Sequence, residues 1–217
     1  MSSDHNKLEL KLRGIPVSEG VSRGRVVVLN RHKIVPAKTN YETLNQADEE
    51  ARFQTALDKT RQQILEVQKR LHDEIGAKQS LIFDAHLLVL EDPAVLEEVK
   101  RKVQNEKVSS EYALYTASEK YAEALSAVED SYLSERAADI RDVIQRVLEN
   151  LTGQSKQIGL SDLTEPCIVV ANDLTPSDTA MLDPEKVLGF ITAAGSKTSH
   201  TAILARSLQI PAVLGLG

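Results

Sequence analysis

The hydrophobic and polar positions change their period twice along the chain. Between residues 8 and 17 they alternate, Leu8, Leu10 and Leu12 against Glu9, Lys11 and Arg13, a period of two that predicts a half-buried strand. Gly14, Gly20 and Gly24 mark a turn-rich connection to Val26-Val27-Val28-Leu29, apolar enough to predict a strand covered on both faces. After Pro36 the pattern becomes helical and stays so from about residue 41 to 151. A first helix near 42–73 carries Leu44, Ala47, Ala51, Leu57, Ile64 and Leu71 on one stripe, and Gly76 interrupts it. Ser80 to Leu90 is apolar on nearly every side. Asp92-Pro93 then supplies the cap and first residue of a helix carrying Val95, Leu96, Val99 and Val103, and Ser109 or Ser110 opens the next. The last helix is expected from Ser134, with Ala137, Ile140, Ile144, Val147 and Leu151 on one face until Gly153 stops it. Short breaks between amphipathic helices predict an antiparallel bundle.

Strand-type runs return at Cys167-Ile168-Val169-Val170, at Val187 to Ala193 and at Ile210 to Leu214. A helical block bounded by such runs on both sides is most simply an insertion. Residues 1–37 and 154–217 are therefore expected to build one α/β domain together, interrupted by the helical segment 38–153.

Between the last two runs, Gly195-Ser196-Lys197-Thr198-Ser199-His200-Thr201-Ala202-Ile203-Leu204-Ala205-Arg206 reads as a turn and a helix. Gly195 supplies the turn, Thr198 or Ser199 the cap, and Ala202, Ile203, Ala205 and Leu208 an apolar face. His200 then stands in the first turn, where free N–H groups and the positive end of the helix dipole converge to make a phosphate site. The helix end disfavours an imidazolium, so the ring reads as a neutral nucleophile for a phosphoryl group. The hydroxyls of Thr198, Ser199 and Thr201 could hold the added charge. An ordinary first-turn residue fits the position equally well. Thr175, followed by Pro176 and Asp178, has the form of a helix cap; if it lies beside His200, its hydroxyl could also hold one ring nitrogen and leave the other free. Arg206, one and a half turns beyond His200, is either a phosphate ligand or an exposed or core-flanking helix residue.

Composition narrows the function classes. A chain of 217 residues with a formal charge of −6 is not expected to bind nucleic acid. No apolar stretch approaches the ~18 residues of a membrane helix and Met1 to Asn6 lacks a signal-peptide core, so no membrane association and a cytoplasmic location are expected. Cys167 is the one cysteine, and its apolar setting reads as a buried strand position rather than a reactive thiol. Gly195-Ser196-Lys197-Thr198 resembles the end of a nucleotide-binding P-loop, but that motif needs Gly-Lys in sequence and Ser196 separates the two. A P-loop protein and a non-enzymatic helical scaffold stand as the competing classes.

The stretch Gly195 to Arg206, followed by Ile210-Pro211-Ala212-Val213, resembles the phosphohistidine signature shared by Enzyme I of the bacterial phosphoenolpyruvate-dependent sugar phosphotransferase system, pyruvate phosphate dikinase and phosphoenolpyruvate synthase. Four further segments are similar to Enzyme I specifically: Gly14 to Gly20, Phe83-Asp84-Ala85-His86 through Leu90-Glu91-Asp92, Tyr132 to Asp142, and Asp173 to Ser177. The resemblance runs over nearly the whole chain. It implies an α/β phosphohistidine (swivelling) domain interrupted by the inserted antiparallel α-helical bundle, with His200 phosphorylated through Nε2 and Thr175 bonded to the ring. It also implies phosphoryl exchange with the small histidine-containing phosphocarrier protein HPr, docked on the bundle. Phe83, His86, Leu88, Val89, Val95 and Arg136 are the candidate contacts; the alternative is the bundle core, and for His86 a bond inside the bundle. In full-length members of the family a C-terminal barrel binds phosphoenolpyruvate and Mg²⁺. That barrel is expected to lie outside these residues, so the chain is expected to hold no cofactor or metal of its own and to be monomeric, with a homodimeric parent. Two departures stand out. Ser196 replaces the second of two glycines, and the acidic residues usual at the positions of Ala77, Lys78, Pro93 and Ala94 are missing.

Overall fold

Helix and strand boundaries fall where the caps and breakers lie. The computed structural model describes residues 10–30, 33–38, 45–127, 131–154, 160 and 163–216, with the backbone alone at 131–136. Its elements run β1 (Ile15–Ser18), β2 (Arg25–Leu29), α1 (Gln46–Ile75), α2 (Ala77–Ser80), α3 (Ile82–Leu90), α4 (Pro93–Glu106), α5 (Ser110–Ser126), α6 (Ser131–Thr152), β3 (Cys167–Ala171), α7 (Pro176–Ala180), β4 (Val187–Thr192), α8 (His200–Ser207) and β5 (Ala212–Leu214). They form two units. One takes Met1–Leu29, Thr164–Leu174 and Asp183–Gly217; the other takes Asn30–Leu163 and Thr175–Leu182.

The first unit is a five-stranded sheet in the order β1-β5-β4-β3-β2. β2, β3, β4 and β5 are parallel, and β1 closes the far edge antiparallel to β5. Parallel strands need a crossover, and α8 supplies it between β4 and β5, packing on β1 and β5. Central strands bury Val169 and Phe190, while α8 contributes Ala202 and Ala205. Two expectations change here. The face of β2 that carries Val26 and Val28 is not covered by α8, which packs at the other edge on β1 and β5, so they are 59% and 60% exposed rather than covered on both faces. The strand expected from residue 8 begins only at Ile15. β5 is three residues long and all three are paired by Ile15, Pro16 and Ser18, so nothing is left for Leu10 and Leu12, which are exposed; Leu8 lies outside the described residues.

The second unit is the helical one. α1, about 45 Å long by its rise per residue, starts at an Asn45 cap that accepts the Ala47 N–H and stops at Gly76, whose φ of +104° ends the helix; Leu44 lies outside the described residues. Asp92 caps α4 ahead of Pro93, Ser109 caps α5, and Gly153 follows α6 at φ +66°, as the pattern predicts. α6 begins at Ser131 rather than Ser134, three residues before the expected start. The core gathers Ile64 and Leu71 from α1, Phe83 from α3, Val99 from α4, Leu114 from α5 and Leu148 from α6. Polar bonds set the register. Asn150 Nδ2 donates to Thr60 Oγ1 (2.8 Å) and Gln63 Oε1 (3.0 Å), and the Gln145 amide both accepts from and donates to the Ile34 backbone (2.8 and 3.1 Å). α7 is held on α6 through Ser177 Oγ, which donates to Asp142 Oδ2 (2.9 Å).

Candidate functional site

The loop between β4 and α8 carries the densest set of candidate residues. Beyond β4 the pairing with β3 continues into the loop, the Ala193 N–H reaching Ala171 O (3.1 Å) and the Ala194 N–H reaching Asn172 O (2.8 Å). The chain then turns at Gly195, with φ +113°, a backbone state that side chains rarely adopt. Ser196 stays out of the left-handed region, so the missing second glycine leaves no strain and Gly195 makes the turn alone. Ser199 caps α8: its Oγ accepts the Ala202 N–H (3.3 Å) and donates to Ser196 O (2.9 Å). His200 is the first residue of the helix and half-buried. The first-turn N–H groups of His200 and Thr201 have no acceptor within the helix. His200 thus stands at the capped end of an eight-residue helix, in the turn whose N–H groups the helix itself leaves unpaired.

The other expected phosphate groups divide. Thr198 is exposed, its hydroxyl 3.2 Å from Ser196 Oγ. Thr201 is buried and donates to Leu174 O (2.9 Å), which fastens α8 to the chain after β3 and takes this hydroxyl away from a bound anion. Ser199 is committed to its cap. Arg206 is exposed, and its guanidinium donates to the Lys197 and Val17 carbonyls, each at 3.4 Å. It braces the loop against β1, a role that its place on the helix did not announce.

Thr175 lies in the helical unit, at the start of α7. Its capping box is complete: the Thr175 N–H and hydroxyl donate to Asp178 Oδ2 (3.0 and 2.9 Å), and the hydroxyl accepts the Asp178 N–H (3.2 Å). The expected docking residues separate by burial. Phe83, His86 and Val95 are in the bundle interior, Phe83 and His86 meeting edge to face with ring centroids 5.2 Å apart. His86 Nε2 lies 3.7 Å from Asp139 Oδ1 and makes no hydrogen bond. These three side chains are unavailable to a partner in this arrangement because the helices already enclose them. Leu88 is 68% exposed and Val89 half-buried, so they stay at the surface. Arg136 lies on α6 where the backbone alone is described. Cys167 is buried in β3, and burial pushes its thiol up, against a smaller pull from Arg25. Among the described residues no group of three or more His, Cys, Asp or Glu side chains is arranged to hold a metal ion, and no helix is long and apolar enough to cross a membrane.

Residues 13–136 match the family described as PEP-utilising enzyme, N-terminal, and residues 163–217 match the PEP-utilising enzyme, mobile domain. A solved structure described as the NMR solution structure of Enzyme I (nEIt) superposes with a TM-score of 0.77 at 41% identity, over 95% of this chain and 83% of that one. The chain belongs to the PEP-utilising enzyme family, in its Enzyme I branch. The N-terminal domain of Enzyme 1 - Nitrogen is similar at TM-score 0.64 and 28% identity, covering 94% of this chain and 83% of that one. Among curated relatives, the phosphoenolpyruvate-protein phosphotransferases of Mycoplasma capricolum and Staphylococcus carnosus are 40% identical over 207 residues and 39% over 206, which is 95% and 94% of this chain. The chain spans 35% of the length of each. The match to PEP-utilising enzymes covers the sheet unit and the helical unit alike, and it gives no support to a P-loop protein or a non-enzymatic scaffold.

Proposed function

We propose that the chain is the phosphoryl-carrying part of a phosphoenolpyruvate-protein phosphotransferase, with His200 as the covalent carrier and HPr as its exchange partner. The observation that carries this reading is the half-buried His200 at the capped start of α8, on the segment that matches the mobile domain of PEP-utilising enzymes. The His200 Nε2 lone pair attacks phosphorus in line; the P–N bond to the carrier's phosphohistidine breaks as the new one forms, and the carrier's imidazole leaves neutral. The first-turn N–H groups and the Thr198 hydroxyl then face the oxygens of the transferred group, so the charge is met by donors that need not move. Thr175 is proposed to hold the other ring nitrogen by accepting its Nδ1–H on the hydroxyl's second lone pair, while the hydroxyl goes on donating to Asp178. In the parent enzyme, phosphoenolpyruvate and Mg²⁺ are proposed to act on a further C-terminal domain, in a homodimer of cytoplasmic location, with this part monomeric and holding no cofactor by itself. The division into a phosphohistidine domain of two pieces around an inserted HPr-binding bundle is part of the same proposal.

Incubation with phosphorylated HPr tests it. Wild-type protein is expected to gain acid-labile phosphate, seen as a mass increase, and His200→Ala to gain none. Label retained by His200→Ala, or no label on the wild type, overturns the assignment.

A further inference from the structure

Four hydroxyls stand between Ser196 and Thr201, and the loop spends two of them on itself. Ser199 Oγ donates to Ser196 O (2.9 Å) and Thr201 Oγ1 to Leu174 O (2.9 Å). The other two meet each other: Ser196 Oγ and Thr198 Oγ1 are 3.2 Å apart, both residues are exposed, and among the described residues neither hydroxyl has a second partner. The backbone beneath this pair is held in place. Ser196 O accepts the Ser199 N–H (3.3 Å) as well as its hydroxyl, and Lys197 O accepts from the Arg206 guanidinium (3.4 Å). Ser196 is also outside the left-handed region, so its side chain can be cut back to alanine without a change of backbone strain.

In an isolated pair of hydroxyls either can be the donor; a phosphoryl group removes that choice. Its oxygens are acceptors near neutrality, a threonine has one O–H to give, and in the transfer proposed above Thr198 gives it to the group on His200. The bond to Ser196 then survives only with Ser196 donating and Thr198 accepting. We propose that Ser196 is a positioning residue for phosphoryl transfer: its O–H donates to Thr198 Oγ1 and so aims the Thr198 O–H at an oxygen of the transferred group. The two hydroxyls form a chain that ends on the charge, and the first bond polarises the second, which makes Thr198 the stronger donor. With Ser196 cut back, the Thr198 hydroxyl is still present but turns freely toward water. Ser196 itself touches no reacting atom. The relay rests on the carrier reading above and deepens it, by naming what orients a donor at that site.

The test uses the whole chain and phosphorylated HPr, with label transfer to His200 followed by rapid quench over a range of carrier concentrations. Ser196→Ala is expected to keep the melting temperature and the carrier concentration that gives half the maximal rate, and to lower the maximal rate about threefold, the equivalent of one hydrogen bond between neutral groups. Ser196→Thr keeps the donor and is expected to restore the rate. Thr198→Val loses the bond to the charged group itself and is expected to be slower by about tenfold or more. The double variant is expected to be no slower than Thr198→Val, because Ser196 acts only through Thr198. Ser196→Ala or Thr198→Val at the wild-type maximal rate overturns the relay, and so does a double variant whose loss is the product of the two single losses, since Ser196 would then act by itself. In each of these cases label on wild-type His200 still upholds the function. Absence of label on the wild type overturns the function, and the relay with it.

Discussion

Thr175 is bound three ways within a single turn of helix, its N–H and hydroxyl both donating to the Asp178 carboxylate and the hydroxyl accepting in return. Replacing it with alanine removes a cap, and the helical unit is expected to lose about 1 kcal/mol, read from its thermal or urea denaturation. If the same hydroxyl also holds the His200 ring, Thr175→Ala slows phosphoryl transfer as well, and Thr175→Ser restores both properties. A variant that melts earlier yet transfers at the wild-type rate would leave Thr175 as a cap alone. This cap was legible in the sequence because every partner lies within three residues, in Thr175-Pro176-Ser177-Asp178. The Thr201 bond to the Leu174 carbonyl was not, since no local pattern says which oxygen 27 residues away a hydroxyl will meet. His86 shows the same limit. The sequence leaves it between a bond inside the bundle and a partner contact, and the packed helices enclose the ring without giving its Nε2 a hydrogen bond.

Among the elements, the starts of α1 and α5 are tied together by a residue that resembles an ordinary first-turn acid. Glu49 is buried, its carboxylate accepts the Ser110 N–H (3.0 Å) and pairs with Arg52, and Arg52 reaches on to Glu111 (2.5 Å). Burial pushes the Glu49 carboxyl up, but the Ser110 bonds and then Arg52 outweigh it and hold the group below its ordinary value of 4.5. A carboxyl lowered by folding stabilises fully above that ordinary value, and the contribution is lost as pH falls through the lower folded one. Glu49→Gln is therefore expected to destabilise the helical unit by about 2 kcal/mol near neutrality. The gap between variant and wild type should close as denaturation curves are taken below pH ~4.5; a gap that stays constant with pH would refute the ion pair's role. Helix ends were legible from Asn45, Asp92, Ser109 and Gly153 because caps and breakers act locally. β2 was misread for a complementary reason: four apolar residues in a row state that a strand is greasy, but not whether a layer packs on each of its faces.

For the molecule as a whole, Cys167 offers a single internal reporter. It is 2% exposed on β3, between β2 and β4, and its thiol is pushed up by burial, so a maleimide should label it only when the sheet unit opens. That unit is assembled from three chain segments, carries one helix among its described residues and leaves Val26 and Val28 bare, whereas the helical unit has a larger closed core. Labelling along a urea series is expected to reach its midpoint at lower denaturant than the loss of helical circular dichroism. Coincident midpoints would show the two units to unfold as one.

The pairing of β1 with β5 sets an order of events during synthesis. Ile15 finds its sheet partner in Leu214, so β1 must wait, for about 10–40 s at ordinary elongation rates, until β5 has emerged. The bundle's long helices are all translated within that interval and can pack meanwhile. The strand order therefore makes the seat of His200 the final part of this chain to take shape.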